Sequence, residues 1–294
     1  MKYYRYANIS DISLVITFFS LWFSAFFENR VEMYIAYAMI LTFGVFHGAN
    51  DIKLIQRMED RKGFSVLLVR YVSVVLLCAA LFYFIPVIVL SCFIAFSAYH
   101  FGEEHWKGQL VQHTRLAYAF FLVYGMMIFA MVFLCNWQST QDIVAQLTGI
   151  SVNFIPIKTI FWGLILSTFT LFLYLRTKKM LKANGFRELI LLLVLYVLFY
   201  NASLIWGFAI YFIFWHSLPS ILSQIKFLYG GTSRKDVRSY INSSVLYWVV
   251  ALSALAGATL FLSHDESLFH ALFFAFLAAI TFPHVIVIHR MKNH

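Results

Sequence analysis

Four of the ten histidines lie inside long apolar runs: His47, His100, His216 and His284. A polar ring in hydrocarbon is costly, so an intramembrane histidine is read first as functional. Each stands shortly before a basic residue that closes its run. His47 precedes Lys53 by six residues, His100 precedes Lys107 by seven, His216 precedes Lys226 by ten and His284 precedes Arg290 by six. At a helical rise of 1.5 Å per residue, the four rings fall roughly 9–15 Å inside that charge. Imidazoles from separate helices at one level can converge on a metal ion within a bundle, and an imidazole-rich donor set suits Fe, Cu or Zn. Any one of the four reads equally well as a hydrogen-bonding partner between helices; all four at matched depth favour a metal. Asp51 stands four residues after His47, and Glu104 four after His100. If the helix continues, each shares a face with its histidine and can orient the ring through its second nitrogen; each also reads as an ordinary interfacial carboxylate. His105 and His289 fall near the interface, His113, His264 and His270 in loops or at the outer edge, and His294 in the tail.

The elements that must carry these residues are set by composition. The chain is 62% hydrophobic and 12% charged, against about half and about a quarter in a soluble domain, and its mean hydropathy is +0.80. No soluble core needs that much apolar surface. The apolar runs are continuous, without the alternation of a barrel strand, so helices are expected. They fall at 12–27, 32–49, 64–84, 86–102, 116–135, 154–175, 187–201, 203–223, 239–262 and 268–289. The fold class predicted is all-α: a polytopic transmembrane bundle of about ten helices in one integral membrane domain over 1–294. The break at Asn201-Ala202-Ser203 is the weakest of the boundaries. Segment 137–149 is too polar to span and is expected to lie on the outer surface as an amphipathic turn. The basic N-terminus before an apolar run invites comparison with a signal peptide, but no small-residue cleavage site follows Phe27, so a retained first helix is expected.

Lys and Arg cluster in every second connection. The stretch 53–62 holds Lys53, Arg57, Arg61 and Lys62, and the stretch 176–187 holds Arg176, Lys178, Lys179, Lys182 and Arg187. The connections around Pro86, over 136–153, at 201–203 and at 263–267 hold none. The bias puts both termini in the cytoplasm. The net charge of +9 therefore reads as orientation and contact with anionic lipid headgroups, not as nucleic-acid binding. Arg70 and Lys158 sit near span ends, where they can snorkel. Cys78, Cys92 and Cys135 lie in apolar runs without a CxxC pair and read as small buried hydrophobes.

With those residues in hand, the chain resembles the Brp/Blh family of bacterial and archaeal membrane β-carotene 15,15'-dioxygenases. The resemblance rests on His47-Gly48-Ala49-Asn50-Asp51, Ser97-Ala98-Tyr99-His100-Phe101-Gly102, Trp215-His216-Ser217 and Pro283-His284, in that order. It implies a non-haem Fe(II) enzyme of the cell membrane that cleaves the central double bond of β-carotene with O2, giving retinal for use by a rhodopsin. His47, His100 and His216 carry over as iron ligands. The family has a further His four residues after the Trp-His-Ser histidine, and here that position is Ser220. The resemblance then leaves two arrangements: His284 as the fourth ligand, or three His with more open positions. It also leaves open another carotenoid or apocarotenoid as substrate.

A carotenoid dissolves in a bilayer and can enter sideways from it. Aromatic residues make up 19% of the chain, and Tyr99, Phe101, Phe212 and Trp215 flank the candidate ligands as substrate-binding candidates; aromatics are also common in membrane helices generally. No general acid–base pair is evident, which argues against hydrolysis. The alternative is a transporter or a metal or proton relay using the same histidines, for which no internal repeat is seen. A di-iron desaturase is disfavoured by the absence of HxxxH boxes, and paired histidines leave a haem protein open.

Overall fold

The protein is described by a computed structural model over residues 2–59, 64–112, 114–262 and 266–294; Arg61, Lys62, His113 and His264 lie outside the described residues. Among the described residues there are eleven helices and no strands. They are α1 (Lys2–Ser24), α2 (Asn29–Met58), α3 (Phe64–Phe84), α4 (Pro86–Trp106), α5 (Arg115–Cys135), α6 (Trp137–Thr148), α7 (Ile157–Thr177), α8 (Gly185–Asn201), α9 (Leu204–Tyr229), α10 (Arg234–Leu262) and α11 (Glu266–Asn293). Ten of them fall on the ten apolar runs, so the polytopic all-α class holds. Eight (α2, α3, α4, α5, α7, α9, α10 and α11) are long and apolar enough to cross a membrane. The break at 201–203 is real: Ala202 turns extended after α8, and Ser203 opens α9.

The lipid-facing surfaces are plain from exposure. Along α7, Trp162, Leu166, Phe169 and Leu173 stand exposed at helical spacing, and on α10 so do Leu246 and Val250. Stripes of this kind on long apolar helices suit a hydrocarbon surrounding. The segment expected as a surface turn is instead the helix α6. Its Leu147 is buried with Phe82, Val89 and Ala278, and Ile143 packs on that cluster. A few apolar side chains in an otherwise polar stretch are enough to give a short helix one anchored face.

The chain divides into two compact units. One comprises 1–40, 98–140 and 154–219, and the other 41–97, 141–153 and 220–294. In the first, α5 is the central helix: Phe120, Phe121, Tyr124, Ile128 and Val132 are all buried. Helix α1 is tied to α9 by polar bonds. The Trp215 indole donates to Thr17 Oγ1 at 3.0 Å, the Trp206 indole to the Ser20 carbonyl at 3.3 Å, and Ser13 Oγ to the Phe214 carbonyl at 2.7 Å. The buried Glu32 carboxylate accepts from the Ser203 N–H at 3.1 Å. It thereby satisfies an end amide of α9 and sits at the positive end of that helix.

In the second unit, Leu54 of α2 packs with Val287, Ile288 and Met291 of α11. Helix α2 is irregular here. Ile40–Gly44 forms a π-turn, Val45–Gly48 returns to α-helix, and the chain breaks at Ala49 and Asn50 before restarting at Asp51. Both irregularities are anchored on α10. The Trp248 indole donates to the Leu41 carbonyl at 2.8 Å. The Asn50 side chain donates to the Tyr240 carbonyl at 3.2 Å and to Ser244 Oγ, and accepts from Ser243 Oγ at 2.8 Å. Side chains thus replace the backbone bonds that the irregular turns give up, which is the condition for tolerating them in a membrane helix.

Candidate functional site

All four intramembrane histidines are buried: His47 is 5% exposed, His100 1%, His216 1% and His284 4%. A ring enclosed to this degree must have its nitrogens bonded or lose about 1–3 kcal/mol of solvation per group.

In the second unit, His47 follows the π-turn of α2 by one turn of helix. Its Nδ1–H donates to the Gly44 carbonyl, at the end of that π-turn. A neutral imidazole with its proton on Nδ1 carries its lone pair on Nε2, which is the state a metal ligand requires. The His284 ring meets it edge to face, with centroids 4.4 Å apart. Here too Nδ1–H is committed, to Asp51 Oδ1 at 2.9 Å, so in a neutral ring the lone pair again lies on Nε2. Tyr71 Oη donates to the other oxygen, Asp51 Oδ2, at 2.8 Å. Pro283, directly before His284, withholds an amide from the Ala279 carbonyl within α11.

Asp51 was expected beside His47 on a continuous helix. The break at Ala49–Asn50 removes that register, and the carboxylate turns to His284 and Tyr71 instead. Asp51→Ala is expected to strand one buried donor, on His284, at about 1–3 kcal/mol and a half-buried one, on Tyr71, at less, read as a lowered unfolding midpoint in detergent, while Asp51→Asn keeps an acceptor for His284 and loses less. Equal midpoints for wild type and Asp51→Ala would remove the pair from any account of the site.

In the first unit, His100 lies on the uninterrupted α4 and His216 within a second π-turn, Tyr211–Ser217 of α9. The two rings pack edge to face, with centroids 4.5 Å apart. Pro219 lies just past this π-turn and offers no N–H to the Trp215 carbonyl; wide turns recur where a helix must absorb such a defect or aim a functional side chain. Phe101 packs on His216 at 4.3 Å and Phe212 stacks on it at 5.8 Å, nearly parallel. The other two aromatic candidates sit differently. Tyr99 meets Phe121 edge to face at 6.1 Å, and Trp215 is buried with its indole bonded to α1. Glu104 is buried one turn past His100 on the same helix.

The remaining described histidines have other partners. His105 bonds Glu188 at 2.8 Å and stacks on Tyr124, His270 packs against Phe269, Asn293 donates to His289, and His294 packs against Phe227. Sequence reasoning did not single out Tyr71, Gln224 or Tyr240. Gln224 carried a weak signal, as an amide side chain directly after the apolar run 203–223 and two turns past His216; Tyr71 carried none, being one of seventeen tyrosines in a chain rich in aromatics.

Neither the comparison with curated proteins nor that with solved structures finds a match. A family model described as beta-carotene 15,15'-dioxygenase matches residues 38–292. That span takes in both π-turns, all four buried histidines and every helix from the middle of α2 to α11. On this match the chain belongs to the beta-carotene 15,15'-dioxygenase family.

Proposed function

We propose that the protein is a non-haem Fe(II) dioxygenase that cleaves a carotenoid with O2, with β-carotene as substrate, its central double bond as the point of cleavage and retinal as the product. The family match over 38–292 carries this reading. The donor chemistry fits the metal. His47, His100 and His216 are the proposed ligands, with His284 as the fourth candidate. All four are buried imidazoles, a donor type that, when neutral, suits Fe(II) and leaves positions open for small molecules. Iron held by them would supply the redox chemistry by which O2 adds across an electron-rich double bond.

The protein's own contribution is binding, orientation and exclusion of water. The Nδ1–H bond of His47 to Gly44 holds its ring in the ligating tautomer. Phe101 and Phe212, packed on His216, offer flat apolar faces on which a conjugated chain can lie, while Tyr99 and Trp215 are retained as more peripheral substrate contacts. The exposed apolar helices allow such a substrate to arrive from lipid, in the cell membrane of a bacterium or archaeon, and a rhodopsin is the natural acceptor of retinal.

Expression of the full chain in β-carotene-producing bacteria tests the reading. Loss of orange colour with appearance of retinal is the expected result. Unchanged pigment in cells whose membranes contain the folded, iron-loaded protein would overturn it.

A further inference from the structure

The backbone of His47 is held as firmly as its ring. The helix break at Ala49–Asn50 begins two residues after it, and its carbonyl receives a bond from a side chain of another helix: Gln224 Nε2 donates to the His47 carbonyl at 2.9 Å. The amide that does this is itself fixed at both ends. Tyr240 Oη donates to Gln224 Oε1 at 2.8 Å. Ser220 Oγ, one turn before Gln224, lies 3.3 Å from the same Nε2 and accepts from it. Ser220 and Gln224 are fully enclosed and Tyr240 is 1% exposed. The backbone of Tyr240 closes the loop, because its carbonyl accepts from Asn50, the residue at the break. A primary amide can rotate end for end. The His47 carbonyl can only accept, so the amide nitrogen must face it and the amide oxygen is left to accept from the phenol; one orientation is enforced.

We propose that Gln224, oriented by Tyr240 and Ser220, is a positioning residue that sets the His47 imidazole for metal binding. The inference rests on the proposed iron site. In this chain Ser220 serves the hold on His47 through the Gln224 amide. The partners of a metal-binding imidazole typically change affinity ~10–100-fold when removed, and a backbone clamp on the ligand's own carbonyl acts on the same coordinate. The two bonds that fix His47 are complementary. Gly44 sets the rotation of the ring, and Gln224 sets the position of the backbone that carries it.

The test uses full-length protein in detergent, without iron, titrated anaerobically with Co(II), whose visible absorption reports both occupancy and ligand geometry. Gln224→Leu keeps the volume and removes the donor; it is expected to weaken Co(II) binding ~10–100-fold and to shift the absorption bands. Tyr240→Phe, a milder change, is expected to move both readouts in the same direction. Tyr240 Oη also lies 3.4 Å from the His47 carbonyl, so in combination the two should cost less than the sum of the single changes, because they act on one carbonyl. A purely structural role would lower the unfolding midpoint and leave affinity and spectrum unchanged, and that result in either variant overturns the proposal; Tyr240→Phe decides the matter if Gln224→Leu does not fold. His100→Ala, titrated alongside, separates the two levels. If it abolishes Co(II) binding while the Gln224 and Tyr240 variants bind as wild type does, only the positioning role falls. If His100→Ala itself binds as wild type does, the iron site falls and this inference with it.

Discussion

His100→Ala is expected to leave a folded protein that retains no iron and cleaves no carotenoid, a loss of about 10^3-fold or more in turnover. The ring packs directly on His216 within an aromatic enclosure, with centroids 4.5 Å apart. Two imidazoles buried this close can share one cation between their nitrogens, and removing either ring takes a ligand from the proposed set. His216→Ala and His47→Ala are expected to behave alike. His105→Ala is the informative contrast. It lies on the same helix, five residues on, but bonds Glu188 and stacks on Tyr124. Its removal should lower the unfolding midpoint and spare the metal content. Metal analysis of the purified variants, with pigment turnover in parallel, checks the set. Full iron and full turnover in His100→Ala would remove the proposed centre.

The helices were legible in the sequence because hydrocarbon imposes a simple rule: an apolar run long enough to cross it has nowhere to go but helix. The four histidines were legible for the same reason, since polarity stands out against that background. What the sequence did not disclose is where the helices stop being regular. The π-turns at Ile40–Gly44 and Tyr211–Ser217 are decided by tertiary bonds, such as the Trp248 indole on the Leu41 carbonyl. Neither turn has a composition that separates it from its flanks. The partner of Asp51 was unreadable for a related reason. Four-residue spacing from His47 held meaning only while the helix continued, and the break at Asn50 handed the carboxylate to a histidine 233 positions away. Polar residues that are ordinary in number, such as Tyr71 and Gln224, acquire their roles only from what the fold sets beside them. Segment 137–149 was read from its average polarity, and the few apolar positions that anchor α6 were lost in that average.

Gly125→Ala is expected to cost about 3 kcal/mol or more, a large effect for a single methyl group. A Cβ at Gly125 would lie 1.8 Å from the Ala98 carbonyl oxygen, and one at Gly102 would lie 2.0 Å from the Phe121 carbonyl oxygen. The obstacle in each case is backbone, so no rotamer change can relieve it. The two sites answer one another across α4 and α5. Ala98 and Gly102 are one turn apart on α4, Phe121 and Gly125 one turn apart on α5, and each glycine faces the other helix's main chain. This is the close approach that small residues permit between membrane helices. His100 stands between Ala98 and Gly102, so forcing the helices apart moves α4 at the point where it carries the ring packed on His216. Stability and metal affinity should therefore fall together in Gly102→Ala and Gly125→Ala. Gly163→Ala, on α7, places its methyl group where nothing lies within 4 Å and should gain roughly 0.5–1 kcal/mol from reduced backbone entropy. Unfolding in mixed micelles measures all three. A Gly125→Ala protein as stable as Gly163→Ala would mean that α4 and α5 do not approach as closely as the fold requires, and the geometry of the His100–His216 pair would go with it.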